Sequence, residues 1–532
     1  MAAFCDDTMS ELEDPLVGGA AINSASLGPE RSFVAILCAF GAAVGAVVFG
    51  YSLGFSSPAL PGMEDDVFTD VECGKDDAVT SALASLWSSI VNVGCMVGAL
   101  GGARLLDAVG RRGALAAVAG PVYAATWALT ATATTPGALI GARVALGVAV
   151  GVASVAVPVY IAETAPPSLR GALGAANQLA VTLGIFGVYL VGFLLPHETI
   201  RFDCGSDVRA MGGGGWRVLA WIGCGGGCFL VAVGLLLPET PSWLARRGRL
   251  DAAEKSLRTL RGGDEARAAL ELRELVAKRD KDAAEADAAV GFGEILRMLA
   301  PGGVGGPVDG AVRAPLRIAL AVMLIQQSRA ASRGRDNTRK LSTHHRFSGI
   351  NAVIFFSGSI LGSAGMANRD LGGCIIMAIQ VGMTALSCVL MDRAGRRTLL
   401  LTSLAGMALA AGAMALFFAA HLPPLVALAA LVLYIAAFAV GLGPIPWLLM
   451  AEILPARARG VASSVATLTN WTCSFVVTEC FSTVLAALSP QGTFLLFALV
   501  CLAGALYVAA KVPETKGVSL DQIEALFNNA HL

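Results

Sequence analysis

The same charged residues recur in the same order in both halves of the chain, and their types suit bidentate ion pairing. Gly110-Arg111-Arg112 is echoed by Gly395-Arg396-Arg397. Glu163 with Arg170 downstream is echoed by Glu452 with Arg459, and Pro238-Glu239-Thr240 by Pro513-Glu514-Thr515, at offsets of roughly 275 to 290 residues. A guanidinium is a planar fork that grips a carboxylate through two parallel hydrogen bonds. Glu163, Glu239, Glu452 and Glu514 are the natural acceptors for Arg111, Arg112, Arg396 and Arg397. Partly solvated pairs contribute about 0–1 kcal/mol each. Such a set is expected to latch one face of a two-lobed molecule shut, lobe against lobe, and to release together. The plainer alternative is that basic residues only mark one side of a membrane. Two copies, each with its own downstream Glu and Arg, favour the latch.

The rest of the chain offers no constellation of nucleophile, base and metal ligands, so neither enzymatic activity nor a cofactor is expected. The 12 cysteines form no CxxC pair and no Cys/His cluster of zinc spacing. Cys73 and Cys204 fall in two loops expected on one side of the membrane, and a disulfide between them stays open. The net charge of −1 points to no nucleic-acid partner.

The elements that position these residues are set by composition. The 532 residues are 55% hydrophobic and 14% charged, against about 25% charged in soluble domains. That leaves too little polar surface for a soluble protein of this size. A bilayer core needs about 20 apolar residues per helix. Twelve such stretches begin near Phe33, Thr80, Gly113, Ala138, Gly171, Trp216, Leu316, Leu371, Thr398, Leu425, Gly460 and Gly492. The basic residues fall in the loops between even and odd spans, while the loop after the first span is acidic (Glu64, Asp65, Asp66, Asp70). Both termini are therefore expected to be cytosolic. Residues 1–30 read as a cytosolic tail, 31–240 as a first six-helix bundle, 241–312 as amphipathic linker helices, 313–512 as a second bundle and 513–532 as a second tail.

With these motifs in place, the chain resembles the sugar porters of the major facilitator superfamily, which include facilitative glucose transporters. The resemblance rests on the ordered set of motifs: Gly-Arg-Arg twice, Pro158-Val159-Tyr160-Ile161-Ala162-Glu163, Gln326-Gln327 with Ser348-Gly349-Ile350-Asn351, Gly443-Pro444-Ile445-Pro446-Trp447, Asn470-Trp471 and Pro513-Glu514-Thr515-Lys516-Gly517. Phe49-Gly50-Tyr51 through Pro58 looks most like the branch working in lysosomal or vacuolar membranes. The resemblance implies an all-α fold of two pseudo-symmetric six-helix bundles that alternate around a central cavity. It also implies a sugar pocket made by Gln178, Gln326, Gln327, Asn351, Gln380, Trp447 and Trp471. The chemistry suits a sugar, because amides both donate and accept without charge and indole offers an apolar face with one donor. Helix–helix adhesion is the bland reading of the same amides.

Several positions depart from the family pattern. Ser52 stands where proton-coupled relatives carry Asp, and serine cannot titrate. Passive uniport of a hexose is therefore the expected activity. Glu479 in the eleventh span is the one rival proton site. A proton-coupled hexose or polyol symporter and a non-transporting sugar sensor are the alternatives. Residues 328–346 hold Arg329, Arg333, Arg335, Arg339, Lys340 and Arg346 in the middle of the seventh span. Each costs roughly 2.5–3.5 kcal/mol at mid-bilayer, so the segment reads as an insertion foreign to the span, such as a translated intron. The expected partners are a small sugar and the lipid bilayer, with a monomeric transport unit. Glu13-Asp14-Pro15-Leu16-Val17 weakly resembles an endosomal or vacuolar sorting signal, and the plasma membrane is the other address.

Overall fold

Apolar runs cut by Gly-Arg-Arg, proline and polar loops form helices in lipid, because a helix closes its backbone hydrogen bonds within itself. The structure is a computed structural model that describes residues 33–63, 77–166, 168–195, 214–285, 310–327, 368–455 and 458–516, with a few isolated positions. The first lobe contains α1 (Phe33–Gly54), the short α2 (Ser56–Met63), α3 (Asp77–Val109), α4 (Arg111–Thr132), α5 (Pro136–Thr164), α6 (Arg170–Leu194) and α7 (Gly214–Leu236). Between the lobes lie α8 (Pro241–Arg246), α9 (Leu250–Leu260) and α10 (Glu265–Glu285). The second lobe contains α11 (Gly310–Gln327), α12 (Arg369–Ala394), α13 (Arg396–Ala420), the pair α14 (Pro424–Val440) and α15 (Ile445–Ile453), and α16 (Arg459–Lys511).

Among the described residues, 10 helices are long and apolar enough to cross a membrane. The seventh crossing, α11, is followed only to Gln327. The eleventh and twelfth share α16, which kinks at Ser489 (φ 61°) just before Pro490. Among the described residues, two of the expected spans are irregular. Span three carries a π-helical turn over Ala114–Ala119, and span ten is broken between α14 and α15.

Small residues set the packing inside the first lobe. Gly94 and Gly98 of α3 face Gly147 and Gly151 of α5. A Cβ on any of the four would strike backbone atoms of the opposite helix. The four-residue spacing puts each pair on one helical face, so the two backbones approach as closely as glycine allows. The lobes meet along two seams, α3 against α16 and α6 against α12.

The connecting helices dock on the first lobe. Ser256 Oγ donates to the Glu239 carbonyl (2.6 Å), and Trp243 Nε1 donates to the Asp107 carbonyl (3.0 Å). Arg261 grips Glu271 through Nε (2.7 Å) and Nη2 (2.8 Å), and its Nη1 reaches the Thr164 carbonyl (3.1 Å) at the end of α5. There a cation meets the negative end of the helix dipole.

Gly147→Leu should lower the apparent thermal midpoint sharply, through a packing cost of at least about 3 kcal/mol. Gly141→Leu, where an added Cβ meets nothing within 4 Å, should leave it nearly unchanged. Size-exclusion profiles across a temperature series read both.

Candidate functional site

The charged motifs come together, but each set closes within its own lobe. In the first lobe Arg111 donates to Glu163 Oε1 from Nη2 (3.0 Å) and Nε (3.2 Å), while Thr240 Oγ1 donates to Glu163 Oε2 (2.6 Å). In the second, Arg396 Nη2 donates to Glu452 Oε1 (3.1 Å) and Thr515 Oγ1 to Glu452 Oε2 (2.6 Å). Glu239 accepts the backbone N–H groups of Arg111 (2.9 Å) and Arg112 (3.2 Å). Glu514 likewise accepts those of Arg396 (2.8 Å) and Arg397 (3.1 Å). Arg112 then reaches the Leu235 carbonyl (2.8 Å), and Arg397 the Ala509 carbonyl. The expectation of a lobe-to-lobe latch is thus corrected: among the described residues no ion pair of this set crosses between lobes. Arg170 and Arg459 are placed by backbone alone, each opening a helix.

The geometry explains the correction. Each Gly-Arg-Arg is a turn between two antiparallel helices, and Gly110 (φ 84°) and Gly395 (φ 87°) adopt the left-handed region that glycine tolerates. A Cβ there would also collide with the Glu239 or Glu514 carboxylate. Neither glycine offers a capping side chain. The first N–H groups of α4 and α13 are instead capped by a carboxylate from beyond the lobe's last helix, which also sits at the positive end of the helix dipole. The cluster therefore staples the helix ends of one lobe together. Partial burial pushes the Glu514 carboxyl upward, but four backbone N–H donors (Arg396, Lys516, Arg397 and Thr515) outweigh it and hold the group below the ordinary carboxylate range.

The broken tenth span organises the centre of the second lobe. Pro444 and Pro446 carry no N–H, so the Val440 and Leu442 carbonyls lose their helical donors. Ser387 Oγ donates to the Val440 carbonyl (2.6 Å). Gln326 Nε2 donates to the carbonyls of Leu442 (3.0 Å) and Gly443 (3.1 Å). The Leu442 N–H in turn donates to Ser403 Oγ (3.1 Å). Asn470 Nδ2 donates to Gln326 Oε1 (2.7 Å), and Gln327 Nε2 donates to Asn470 Oδ1 (3.4 Å).

These bonds sort the expected pocket residues. Both N–H groups of Gln326 are occupied by the helix break, and the residue is buried; its role here is to hold α14 and α15 in place. Gln327 is tied to Asn470. Gln380 is buried with Oε1 lacking a partner among the described residues, and Trp471 is buried with Nε1 likewise unpartnered. Trp471 also packs against Phe49 of α1, with ring centroids 6.1 Å apart, so its indole lies where the lobes meet. Gln178 is half-buried on α6, one turn from Ala175, whose carbonyl meets Cys388 of α12 (3.7 Å). Trp447 is half-buried on α15. Asn351, the segment 328–346, the residues 1–30 and the Cys73–Cys204 pair lie outside the described residues.

Two features escaped the sequence reading. Arg143 of α5 is buried; its Nη1 donates to the Ser52 carbonyl (3.0 Å), its Nη2 to Ser56 Oγ (2.5 Å), and its guanidinium lies 4.6 Å from the Trp87 ring centre. It caps the C-terminal turn of α1, and no carboxylate among the described residues pairs with it. A lone arginine inside an apolar span was the available signal. The second feature is the polar run Ser85, Ser88, Ser89 and Asn92 on α3, which meets the eleventh span across the lobe seam.

The sequence profile described as "Sugar (and other) transporter" matches residues 38–328 and 341–527. The chain belongs to that family. The match breaks off between 328 and 341, inside the insertion. The transporter is 33% identical to sugar transporter ERD6-like 6 of Arabidopsis thaliana over 510 residues, covering 94% of this chain and 91% of that one. It is 33% identical to the facilitated glucose transporter member 8 of solute carrier family 2 from Bos taurus, with 92% and 94% covered. It is also 33% identical to a facilitated trehalose transporter Tret1-2 homolog of Drosophila sechellia, with 93% and 91% covered. The proton:xylose symporter XylE, solved with 6-bromo-6-deoxy-D-glucose, superposes with a TM-score of 0.73 at 24% identity, over 93% of this chain and all of that one. An inward-open XylE from E. coli gives 0.71 at 23% identity over 92% of this chain. The transporter therefore has the two-lobed major facilitator fold and is a multi-pass membrane protein.

Glu514→Gln removes the charge and one of the two oxygens that accept from four N–H donors, and should cost about 1–3 kcal/mol at pH 7. The lowered carboxyl pKa makes that stability present above the unfolded-state value of about 4.3 and lost as pH falls through the folded value. The melting difference between wild type and variant, followed in detergent from pH 7 downward, should therefore shrink only below the ordinary carboxylate range.

Proposed function

We propose that the transporter moves a hexose down its gradient by facilitated diffusion, as a single chain alternating between states open to either side. The observation that carries this reading is the pair of buried, unpartnered groups, Gln380 Oε1 and Trp471 Nε1, contributed by helices that abut the other lobe. A polar atom buried without a partner is destabilising by about 1–3 kcal/mol. A ring hydroxyl that donates to Gln380 and another that accepts from Trp471 would relieve both. The apolar face of Trp471 suits the C–H face of a sugar. Gln178 and Trp447 extend the same set, and Asn351 joins it by resemblance.

Uniport is supported at Ser52. The buried Arg143 cation sits against the Ser52 carbonyl and the Ser56 hydroxyl, and no carboxylate among the described residues pairs with it to carry a proton. The relatives named as facilitators for glucose and trehalose agree with that reading, whereas the XylE likeness bears on the fold alone. The face bearing Gly-Arg-Arg is assigned to the cytosol on the strength of its basic loops.

Uptake of radiolabelled glucose and trehalose into proteoliposomes, with and without an inward proton gradient, tests this function. Glucose should equilibrate without accumulating under either condition. Accumulation driven by the gradient would reject uniport, and uptake of trehalose alone would reject a hexose substrate. Gln380→Ala and Trp471→Leu should each raise the half-saturating sugar concentration about fivefold or more, with protein folding checked by size exclusion. Gln326→Ala should instead lower thermal stability, because it leaves two carbonyls unanswered.

A further inference from the structure

Besides the Cys388–Ala175 contact near the basic ends of α12 and α6, hydrogen bonds cross between the lobes far from the arginine clusters. Helix α3 runs from Asp77 to Val109, so Ser89 and Asn92 lie in the half remote from Gly110. On α16 they face Glu479 and Ser474. Ser89 Oγ donates to Glu479 Oε2 (2.5 Å), and Ser474 Oγ donates to Asn92 Oδ1 (2.9 Å). One turn further toward the basic face, Thr472 Oγ1 meets Met96 Sδ (3.7 Å). Ser89, Asn92 and Ser474 are fully buried. Glu479 is half-buried, and no basic side chain among the described residues pairs with it.

We propose that Ser89 and Glu479 form the interlobe latch on the face opposite the Gly-Arg-Arg motifs, so that breaking this bond opens that face. The inference rests on the reading of a carrier whose lobes rock. A hydroxyl bound to a carboxylate is roughly twice as strong as a neutral pair, so this contact is the strongest of the three. It is also built to be released. Ser89 Oγ lies 3.1 Å from the Leu86 carbonyl of its own helix, so the hydroxyl proton has a second acceptor once Glu479 withdraws. Asn92 Nδ2 donates to the Ser89 carbonyl of its own helix (2.9 Å), a bond that parting of the lobes need not break. Opening therefore strands no buried donor on α3, and water hydrates the freed carboxylate.

The test joins the two positions in the full-length protein in proteoliposomes. The double variant Ser89→Cys/Glu479→Cys should link on oxidation, with the lobes staying joined after proteolysis between 241 and 285. Sugar uptake should fall to background and return on reduction, while the uptake of each single-cysteine variant should not respond to oxidation. Folded protein that does not link, or linked protein that still transports, would overturn the latch. A second measurement needs no sugar. In a Ser85→Cys background, Ser89→Ala should speed labelling by an impermeant maleimide added on the side remote from Gly-Arg-Arg by about threefold or more, the scale of one net hydrogen bond. Unchanged labelling would count equally against the latch. Linking and labelling are read without substrate, so absent hexose uptake by the wild type would reject the substrate reading and leave the latch to these results.

Discussion

A bilayer supplies no hydrogen bonds, so every backbone group freed inside it must be answered by the protein itself. That constraint governs the transporter wherever a helix stops being regular. At the broken tenth span two prolines free the Val440 and Leu442 carbonyls, and Ser387 and Gln326 donate to them. At the end of the first span, Arg143 donates to the Ser52 carbonyl where α1 gives way to α2. At the start of α4 and α13, Glu239 and Glu514 accept the open N–H groups. In each case the answering group comes from a different segment of the chain. Satisfying the backbone and fixing helix positions are therefore one act.

The repetition of this device makes each lobe a unit. Arg111, Glu163, Thr240 and Glu239 reappear as Arg396, Glu452, Thr515 and Glu514 in corresponding contacts, although Arg111 adds an Nε bond to its glutamate that Arg396 lacks. Arg111 even reaches the Leu106 carbonyl as Arg396 reaches that of Met391. The lobes differ where chemistry needs them to differ. The first holds a buried cation and a close glycine contact between α3 and α5. The second holds the broken helix and the unpartnered Gln380 and Trp471. Rigidity thus belongs to both lobes.

Much of this was legible in the sequence because it was periodic or repeated. The spans followed from apolar length, and the Gly-Arg-Arg turns from their duplication and their placement between spans. The partners of those arginines were legible as residue types, but not as intralobe contacts. Sequence separation says which glutamate follows which arginine, not which helix ends lie side by side. Gln326 was read as a pocket amide from its motif, yet its N–H groups face a break whose orphan carbonyls lie more than a hundred residues away. Arg143 was missed because a single arginine in an apolar run carries no pattern, and its three neighbours come from α1, α2 and α3.

The division of labour between charge and neutrality follows from what each contact must do. Arg111 is almost wholly buried against Glu163, and removing one partner from such a pair costs about 3–5 kcal/mol. A contact of that strength suits an element that never opens. Where the lobes meet, the contacts are hydroxyl to carboxylate, hydroxyl to amide, thiol to carbonyl and ring to ring. The neutral bonds among these contribute about 0.5–1.5 kcal/mol each net, and the hydroxyl–carboxylate bond roughly twice that. A handful of them holds one state closed while leaving it within thermal reach of the other. Had the arginines bridged the lobes as the sequence suggested, the strongest pairs would have lain across the surface that must part. By keeping them inside each lobe, the fold places its strong interactions where movement is absent and its exchangeable ones where movement occurs.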